Sequence, residues 1–472
     1  MVPLACLMLT SGCFAHVEHL PKADPAHPEP YFSLPQDREV LVGVALSGGG
    51  SRAALFGAGG LKALAQLRVG PEQRTLLEQV SYLSSVSGGS LAASYFATQK
   101  PSNEKPVLTP VGSLTNEYQT FFERYEDAMS RDYEFPVLLR QVVKFRAFNP
   151  TKTATSLAEV LDDEFLDGMT LLQLSQREAH GDSPRLIINS TLYNNGRRFV
   201  FTTLPHDAFQ YNFLRELQAT LKTHGRVTEF PPSLVKAQEE LSPWTFHDIQ
   251  ADPRGVPLSK AVAASASFPP LVGPVSVQVE GAELFWHAGD GGLFDNQGTE
   301  SLAQVLLAKL RSGKARRALI IALDSSYPFS LGNERLDHTE KGFTVFTRDP
   351  SRIVGIMEQR ANAYQAMVWH ILQSEGILLP DERTIKVIVL RHTDAEWKDD
   401  LSDLPDACRA EELRLDSPKA IVQRLAQIPT RFAIESDCDR QLLVAAAAKV
   451  VAMQAPKILE FLEGRQGQGG TR

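Results

Sequence analysis

Apolar and polar positions follow two different periods along the chain, and these periods predict strands and helices in alternation. Continuous apolar runs rich in β-branched residues are typical of strands buried in a parallel sheet. Such runs are found at Glu39–Leu46, residues 80–85, Arg317–Asp324 and Thr384–Leu390. Helical spacing is found at Ala53–Leu67, Leu258–Phe268, Ser351–Gln373 and Gln441–Phe461, the last with a kink or break expected near Pro456. The alternation favours an α/β fold with a mostly parallel sheet in one extended domain.

The segment Pro101–Lys152 looks like an insertion and carries a band of aromatic residues. Tyr118, Phe121, Phe122 and Tyr125 are spaced at i, i+3, i+4 and i+7, which places them on one face of a helix. One interpretation is that this face packs into the core. The other is that it forms a cap and lines a site for an acyl chain.

A glycine-rich loop joins the first predicted strand to the first predicted helix. Its sequence, SGGGSR at residues 47–52, lets backbone N–H groups converge at the positive end of the helix dipole. Such a loop can hold a nucleotide phosphate or the oxyanion of an acyl-transfer transition state. The spacing matches neither of the common nucleotide-binding glycine motifs, and no lysine follows to reach a phosphate. Nucleotide binding is therefore the weaker interpretation.

A second tight turn follows the second predicted strand. In Tyr82–Ala93, YLSSVSGGSLAA, an apolar run ends at SVSGG and a small-residue helix begins, which is the order that lifts a serine hydroxyl out of a sheet. A right-handed βαβ unit places both strand ends at the same sheet edge, where ligands bind in open α/β sheets. Gly48–Gly50 and Ser87 are therefore predicted to lie side by side, which favours a hydrolase.

Asp290 is a candidate for the partner base of this serine. It lies between glycines just beyond the strand-like stretch Glu283–Ala288, and an ordinary Asp-Gly turn is the alternative interpretation. A serine nucleophile needs a base within hydrogen-bond reach, yet none of the 11 histidines follows Ser87 in a recognisable triad context. His287 is expected to be a strand or supporting residue. Desolvation would have to raise the basicity of an aspartate in this role.

Three motifs in this order resemble the patatin-like phospholipase family: SGGGSR at 47–52, SVSGG at 85–89 and DGG at 290–292. The likeness extends to the predicted hairpin LIINSTLYNNGRRFVF and to ASASFPP at 264–270, and so covers roughly Val40 to Asn296. The serines of this last segment are assigned no chemistry. The resemblance implies a three-layer α/β/α sandwich and a Ser–Asp dyad that hydrolyses acyl esters of lipids. By position, Ser87 would be the nucleophile and Asp290 the general base.

The resemblance also gives the glycine loop a role. Gly48, Gly49 and Gly50 would form the oxyanion hole, chiefly through the amides of Gly49 and Gly50. Arg52 would steady the loop.

Two positions depart from the pattern of the resembled family. Ser85 replaces the first glycine of GxSxG, and Ala53 replaces the last glycine of GGGxRG. Both replacements are small, so we expect added strain and an activity that is retained, though lowered.

The motifs divide the 472-residue chain into four parts. Residues 1–13 resemble a signal with a lipidation site, and residues 14–38 are predicted to be a proline-rich tether. Residues 39–330 are the predicted patatin-like catalytic core, with a helical insertion at about 101–180. Residues 331–472 are a mainly helical extension of the same domain.

The N-terminus predicts export and lipid anchoring. Met1–Leu9 is almost wholly apolar and is followed by SGC at residues 11–13, which resembles a bacterial lipoprotein signal. Cys13 would then be lipidated, and the protein would be a membrane-anchored lipoprotein of the bacterial cell envelope. The usual basic segment is missing and Thr10 stands where an aliphatic residue is preferred. An ordinary apolar N-terminus on a cytoplasmic protein is the alternative.

The chain has four cysteines. If Cys6 is removed with a signal and Cys13 is acylated, Cys408 and Cys438 remain as a pair in an oxidising compartment. A disulfide between them is therefore predicted. No CxxC or HExxH motif is present, so no metal site is expected.

The amino-acid composition limits the classes of partner that the chain is expected to bind. A formal net charge of −8 and the lack of a basic run argue against a nucleic-acid surface. Leu442–Met453 comes closest to a membrane helix after the N-terminus, but it contains Lys449 and is predicted to be a buried helix. The sequence thus predicts a serine acyl hydrolase that meets its lipid substrate at a membrane and needs no metal or cofactor. A non-catalytic lipid-binding envelope protein and a nucleotide-binding module are the alternatives.

Overall fold

The computed structural model describes residues 17–24, 37–70, 74–146, 149, 151–223, 225, 229–269, 272–326, 351–375, 383–410 and 415–464. The predicted signal segment with Cys6 and Cys13, and most of the predicted tether, lie outside these residues. Pro270 of the motif at 264–270 lies outside them too.

A mixed, mostly parallel sheet forms the centre of the fold. Its strands and one small hairpin are β1 (Val17–Leu20), β2 (Val40–Leu46), β3 (Arg68–Val69), β4 (Arg74–Thr75), β5 (Val80–Val86), β6 (Arg185–Leu192), β7 (Arg197–Thr202), β8 (Val275–Val279), β9 (Phe285–Asp290), β10 (Arg317–Asp324) and β11 (Thr384–Arg391). The order is β1-β8-β9-β6-β5-β2-β10-β11, with β7 also paired to β6, while β3 and β4 form the separate hairpin. From β6 to β11 all neighbours are parallel.

Helices surround this sheet. They are α1 (Gly50–Ala65), α2 (Leu76–Gln79), α3 (Gly88–Gln99), α4 (Asn116–Ser130), α5 (Glu134–Val143), α6 (Thr151–Leu161), α7 (Leu171–Ala179), α8 (Phe213–Thr223), α9 (Pro232–Leu241), α10 (Leu258–Ser265), α11 (Thr299–Arg311), α12 (Ser351–Glu375), α13 (Asp406–Ala410), α14 (Pro418–Gln427) and α15 (Asp437–Glu463). Helix α15 continues through Pro456, so the chain is not broken there.

The helices cover both faces of the sheet and complete three layers. On one face α1 packs against α3, α4 and α15, over apolar strand residues such as Val44 and Leu83. On the other face Leu302 and Leu306 of α11 pack into a core that contains Leu41 of β2. The central strands are continuously apolar because both of their faces are buried. The predicted α/β/α sandwich is confirmed.

The aromatic band of the insertion lies inside the core. Tyr118, Phe121, Phe122 and Tyr125 of α4 are all buried. Tyr125 stacks on Tyr95 of α3 with ring centroids 4.8 Å apart, and offset stacking of this kind adds to the burial of apolar area. The core-packing interpretation is therefore correct, and the acyl-site interpretation of this face is not.

The first strand corrects the prediction of a tether. Val17–Leu20 pairs in parallel with Ser276–Val279 of β8. The N–H of Ala23 donates a 2.9 Å hydrogen bond to the carbonyl of Gln250. This part of the predicted linker is an edge strand instead, because its backbone groups satisfy those of β8.

Helix α15 is long and apolar enough to cross a membrane by length and composition alone. It packs on α1, and Leu442, Ala446 and Val450 are buried there, which matches a buried core helix. At its start, Cys438 forms a disulfide with Cys408 of α13, with Cα atoms 4.4 Å apart.

Candidate active site

Strand β6 brings two strand ends together. Strand β5 ends with Val86 opposite Asn189 of β6, and β9 ends with Asp290 opposite Ser190, the next residue of β6. Strand β7 occupies the other edge of β6. Strands β5 and β9 therefore share one edge and run toward each other, and Ser87, the residue after Val86, lies next to Asp290.

Ser87 forms a strained elbow between β5 and α3. Its backbone has φ 51° and ψ −122°, a positive φ that is uncommon for a residue other than glycine. Its N–H donates a 2.9 Å hydrogen bond to Oγ of Ser265. Only 8% of Ser87 is exposed. The turn is therefore the tight strand-to-helix turn that the sequence motif predicts.

The glycines after Ser87 allow the elbow to touch the glycine loop. A Cβ at Gly88 would lie 1.9 Å from the carbonyl oxygen of Gly50, and one at Gly89 would lie 2.4 Å from the carbonyl oxygen of Leu46. No side chain fits at either place, because the obstacle is backbone. The elbow and the loop therefore pack with their main chains in contact.

Asp290 is a buried carboxyl group beside this elbow. Its Oδ1 accepts a 2.7 Å hydrogen bond from the N–H of Gly292, and Oδ2 is buried without a hydrogen bond of ordinary geometry among the described residues. Burial raises the pKa of Asp290 to about 7, although the Gly292 N–H and the nearby Ser87 hydroxyl each lower it. Asp290 is thus a much stronger base than an exposed aspartate.

Of the three glycine amides predicted to form the oxyanion hole, the glycine loop can supply two. The N–H of Gly48 donates a 2.9 Å hydrogen bond to the carbonyl of Asn296, so it is not available to an oxyanion, and the assignment of Gly48 is corrected. Within the described residues, no hydrogen bond from the N–H of Gly49 or Gly50 to another backbone carbonyl is found. Gly50 is the first residue of α1, where the helix leaves its N–H groups unpaired and its dipole favours negative charge.

Comparison with known proteins identifies the family of the chain. A family model described as Patatin-like phospholipase matches residues 44–303. The chain belongs to the patatin-like phospholipase family. No curated protein matches the chain.

Solved structures match the chain at low identity and with low TM-scores. Human GIVD cytosolic phospholipase A2 matches with 12% identity and a TM-score of 0.43, over 90% of this chain and 60% of that one. The chain therefore spans about 60% of the length of the human enzyme. VipD from Legionella pneumophila matches with 10% identity and a TM-score of 0.29, over 97% of this chain and 73% of that one.

Arg52 of the patatin-like domain attaches the glycine loop to neighbouring segments of the chain. It is fully buried, and its guanidinium donates hydrogen bonds to the carbonyl oxygens of Ser325 (3.0 Å) and Ile428 (2.5 Å). These contacts join α1 to the ends of β10 and α14. They suit the steadying role expected of Arg52 rather than direct contact with an oxyanion.

Ser265 of α10 was missed by sequence reasoning. Besides accepting from the N–H of Ser87, its Oγ donates a 2.6 Å hydrogen bond to the carbonyl of Asn189 and lies 2.9 Å from Oγ of Ser90. Ser90 in turn donates a 3.0 Å hydrogen bond to Oγ of Ser85. The serine that replaces the usual glycine at position 85 is therefore accommodated in a chain of hydroxyl groups.

Glu358 of α12 was also missed. Its Oε2 accepts a 3.1 Å hydrogen bond from Nδ2 of Asn296, the residue whose carbonyl holds Gly48. Burial and the negative charge of Asp290 raise the pKa of Glu358 to about 8. A neutral carboxyl group at pH 7 thus lies near the base, and no sequence motif marks it.

In the described part of the chain, no histidine forms a hydrogen bond with Ser87 or Asp290. His287 on β9 has Nδ1 2.9 Å from Oγ of Ser276, in line with the supporting role predicted for it. His206, His247 and Asp248 form a cluster with ligand-type atoms within 4.8 Å of one another. It includes none of the residues that surround Ser87.

Proposed function

We propose that the chain is a serine acyl hydrolase that cleaves fatty-acyl esters of lipids, including phospholipids, through Ser87 and Asp290. The observation that carries the proposal is the placement of a strained serine elbow and a buried, strongly basic carboxyl group on two strand ends that face each other along β6. Membership of the patatin-like phospholipase family supports the choice of a lipid ester as the substrate class.

In the first half of the reaction, Oγ of Ser87 attacks the ester carbonyl carbon while Asp290 takes the hydroxyl proton. A C–O bond forms, and the carbonyl oxygen gains negative charge. The amides of Gly49 and Gly50 donate hydrogen bonds to that oxyanion at the N-terminus of α1. Collapse of the intermediate breaks the ester C–O bond, and the leaving alcohol takes the proton from Asp290.

In the second half, water attacks the acyl-enzyme. Asp290 removes a proton from the water as it adds to the acyl carbon. The tetrahedral intermediate expels Oγ of Ser87, which regains the proton, and the free fatty acid leaves. The dyad and the two amides supply each proton transfer and each charge-stabilising contact.

The test compares Ser87→Ala and Asp290→Asn with the wild-type chain. We expect turnover of a short-chain p-nitrophenyl ester, and release of fatty acid from phospholipid, to fall by roughly 10³-fold or more in each variant. Ser94→Ala is a matched control on α3, the helix that follows Ser87, because among the described residues the Ser94 hydroxyl makes a local bond to the carbonyl of Leu91. Wild-type turnover in either dyad variant would show that the mechanism is wrong.

Fluorophosphonate labelling separates catalysis from mere lipid binding. An activated Ser87 should be labelled in the folded chain, and Asp290→Asn should slow the labelling strongly. A folded chain that binds lipid but leaves Ser87 unlabelled would be a lipid-binding protein without activity.

We also propose that Cys13 carries a lipid that anchors the enzyme in the bacterial envelope. The apolar segment before Ser11-Gly12-Cys13 supports this proposal. Mass spectrometry of the N-terminal peptide should detect an acylated cysteine. Cys13→Ser should allow an alkaline carbonate wash to release the protein from the membrane fraction, whereas the lipidated wild type should resist the wash, and an unmodified mature N-terminus that begins before Cys13 would contradict the proposal.

A further inference from the structure

Helix α5 differs from an ordinary surface helix, because it buries a polar side chain and exposes most of its apolar ones. Gln141 is its buried residue, and the amide Nε2 donates 2.9 Å hydrogen bonds to the carbonyl of Lys152 and to Oγ of Ser156. Val137 is partly buried against the core, whereas six other apolar side chains on or just after the helix face solvent and are between 51% and 91% exposed. We call them the α5 stripe: Phe135, Leu138, Leu139, Val142 and Val143, with Phe145 just beyond the helix.

The α5 stripe is an organised surface rather than a set of isolated residues. Positions 135, 138, 139 and 142 are spaced at i, i+3, i+4 and i+7, so they form one continuous apolar face of the helix. Surface helices of globular proteins normally turn such a face toward the core. An exposed one marks a site where apolar groups of a partner, or the acyl chains of a bilayer, cover it.

Hydrogen bonds connect α5 to the glycine loop through Arg431. The carboxyl group of Glu134, the first residue of α5, accepts hydrogen bonds from the guanidinium of Arg431 (2.6 Å) and from the N–H of Phe432 (3.0 Å). The carbonyl of Arg431 accepts a 2.7 Å hydrogen bond from the N–H of Ser51, and a Cβ at Gly50 would lie 2.2 Å from it. Two contacts therefore separate the start of the α5 stripe from the proposed oxyanion donors: that of Glu134 with Arg431, and that of Arg431 with Gly50 and Ser51.

The charges beside the stripe suit a phospholipid surface. Arg140, Lys144 and Arg146 lie on or just after α5 and share two carboxylates, Glu159 and Asp163. One positive charge therefore remains at the C-terminal end of α5, whereas at its start Glu134 and Glu435 share the single cation Arg431. The chain as a whole has a net charge of −8. Lysine and arginine beside an apolar face can keep their charged ends among lipid head groups while their stems lie on the apolar surface.

Helix α12 offers a second apolar surface that borders the same site. On its inner side Glu358 accepts a hydrogen bond from Asn296, and the amide of Gln365 donates a 2.6 Å hydrogen bond to Glu300. On its outer side the apolar residues are between 46% and 68% exposed. They are Ile356, Met357, Tyr364, Met367 and Val368.

We propose that the α5 stripe docks the enzyme on a phospholipid bilayer, with the outer side of α12 as a second contact. The inference rests on the proposed function, because the bilayer that covers the stripe would also supply the substrate. Three observations favour a bilayer over a protein partner: the bordering cations with one unbalanced charge, the short link to the glycine loop, and a second apolar surface beside the same site.

The test measures binding to vesicles separately from catalysis. Full-length chains that carry Cys13→Ser and Ser87→Ala, and so lack both the anchor and the nucleophile, are sedimented with phosphatidylcholine vesicles that contain 30% phosphatidylglycerol, an amount of roughly physiological order. We expect Leu138→Ser with Leu139→Ser to lower the vesicle partition coefficient roughly 10-fold or more, because two exposed apolar groups no longer enter the interface. The helix should fold, since both residues are more than half exposed.

A matched pair on another helix controls for general loss of surface apolarity. Leu234 and Val235 on α9 are 41% and 44% exposed, and among the described residues α9 packs mainly against α8 and β7. Leu234→Ser with Val235→Ser should leave vesicle binding within about 2-fold of the parent chain. We call these double variants the α5 pair (Leu138→Ser with Leu139→Ser) and the α9 pair (Leu234→Ser with Val235→Ser). If the α9 pair loses as much vesicle binding as the α5 pair, the assignment to α5 is overturned.

A kinetic comparison links docking to substrate delivery. In chains with Ser87 intact, the α5 pair should hydrolyse a water-soluble p-nitrophenyl ester at the parent rate and release fatty acid from vesicles roughly 10-fold more slowly. Unchanged vesicle binding by the α5 pair overturns the inference. So does a change from dimer to monomer in light scattering without a change in vesicle binding, because the stripe would then join two copies of the chain.

Failure of the inference and failure of the proposed function give different results. If the wild-type chain hydrolyses the soluble ester through Ser87 but the α5 pair binds vesicles normally, only the docking inference fails. If Ser87→Ala leaves soluble-ester turnover unchanged while the α5 pair loses vesicle binding, the docking inference stands and the proposed function fails.

Discussion

Ser265 accepts a 2.9 Å hydrogen bond from the N–H of Ser87, so a residue of α10 holds the backbone from which the proposed nucleophile projects. A positive φ at a residue other than glycine costs about 1–3 kcal/mol and persists only where the surroundings impose it. Ser265 is in turn fixed to β6 through the carbonyl of Asn189. The elbow is thus held by a part of the chain that is distant in sequence.

Ser265→Ala should weaken catalysis more than substrate binding. The substitution leaves the N–H of Ser87 buried without an acceptor, which costs about 1–3 kcal/mol of the free energy of unfolding. It also frees the elbow to move, so we expect kcat on a soluble ester to fall roughly 10- to 100-fold with little change in KM. Steady-state kinetics and thermal unfolding measure the two effects.

Ser267→Ala is the control for that substitution. Its hydroxyl donates only to the carbonyl of Ala263, one turn earlier in the same segment. We expect a near-normal kcat. If Ser265→Ala and Ser267→Ala lower kcat equally, Ser265 has no positioning role.

The activity of the wild-type chain should depend on the ionisation of Asp290. A general base must be deprotonated, and burial raises the pKa of Asp290 to about 7. We therefore expect kcat/KM to increase about tenfold per pH unit below pH 7 and to level off above it. If kcat/KM is already constant from pH 5 upward, the titrating base is not an Asp290 whose pKa is raised by burial.

Asp290→Asn should stabilise the fold at alkaline pH. The folded chain keeps the Asp290 proton up to about pH 7, whereas the unfolded chain loses it near the ordinary value of 3.8. The folded state binds more protons between these values, so the wild-type stability falls as pH increases through this window. An asparagine does not titrate and can still accept from the N–H of Gly292.

Thermal unfolding at two pH values measures this effect. We expect Asp290→Asn to exceed the wild type in free energy of unfolding by up to about 4 kcal/mol at pH 8, and by much less at pH 4. A difference that is the same at both pH values would mean that burial of the carboxylate does not cause it.

Gly88→Ala should disrupt the contact between the elbow and the glycine loop. The new Cβ would lie 1.9 Å from the carbonyl oxygen of Gly50, and a backbone obstacle cannot turn aside. We expect a loss of at least about 3 kcal/mol in stability, and of nearly all activity. Gly57→Ala on α1 is the contrasting control, because its nearest contacts begin at 3.4 Å and alanine favours the helix by about 0.5–1 kcal/mol. Equal melting temperatures for the two variants would refute the close contact.

Reduction of the Cys408–Cys438 pair should destabilise the chain. The bond closes a loop with a sequence separation of 30 residues and joins α13 to the start of α15. We expect reductant, or Cys408→Ser with Cys438→Ser, to lower the free energy of unfolding by about 2–4 kcal/mol. Alkylation of the unreduced native protein followed by peptide mapping checks the bond, and label on both cysteines would show that the pair is not oxidised.

The sequence predicted the parts of the site that depend on local backbone chemistry. The elbow at Ser87, the glycine loop and the hairpin of β6 and β7 each follow from a few consecutive residues whose conformations are restricted. The choice of Asp290 depended on family resemblance, since an Asp-Gly turn alone has many uses. These parts account for the central strands and for the two residues of the proposed dyad.

The remaining parts depend on contacts between segments far apart in the chain. That the Gly48 amide is occupied by Asn296 cannot be read from three equivalent glycines. Ser265 and Glu358 reach the site only because α10 and α12 lie against it, and no local pattern marks either residue. The antiparallel course of β9 along one edge of β6 is likewise a matter of sheet register.

If Cys13 carries the proposed lipid, the edge strand Val17–Leu20 limits how far the folded chain can lie from the membrane. Between Cys13 and Val17 there are four peptide units, which span at most about 14 Å when fully extended. With a lipid on Cys13, the strand edge of the catalytic body would stay within that distance of the bilayer. Such an enzyme would act on lipids of the leaflet in which it is anchored, and a released chain that begins at Val17 would retain β1 and be free to act on other membranes.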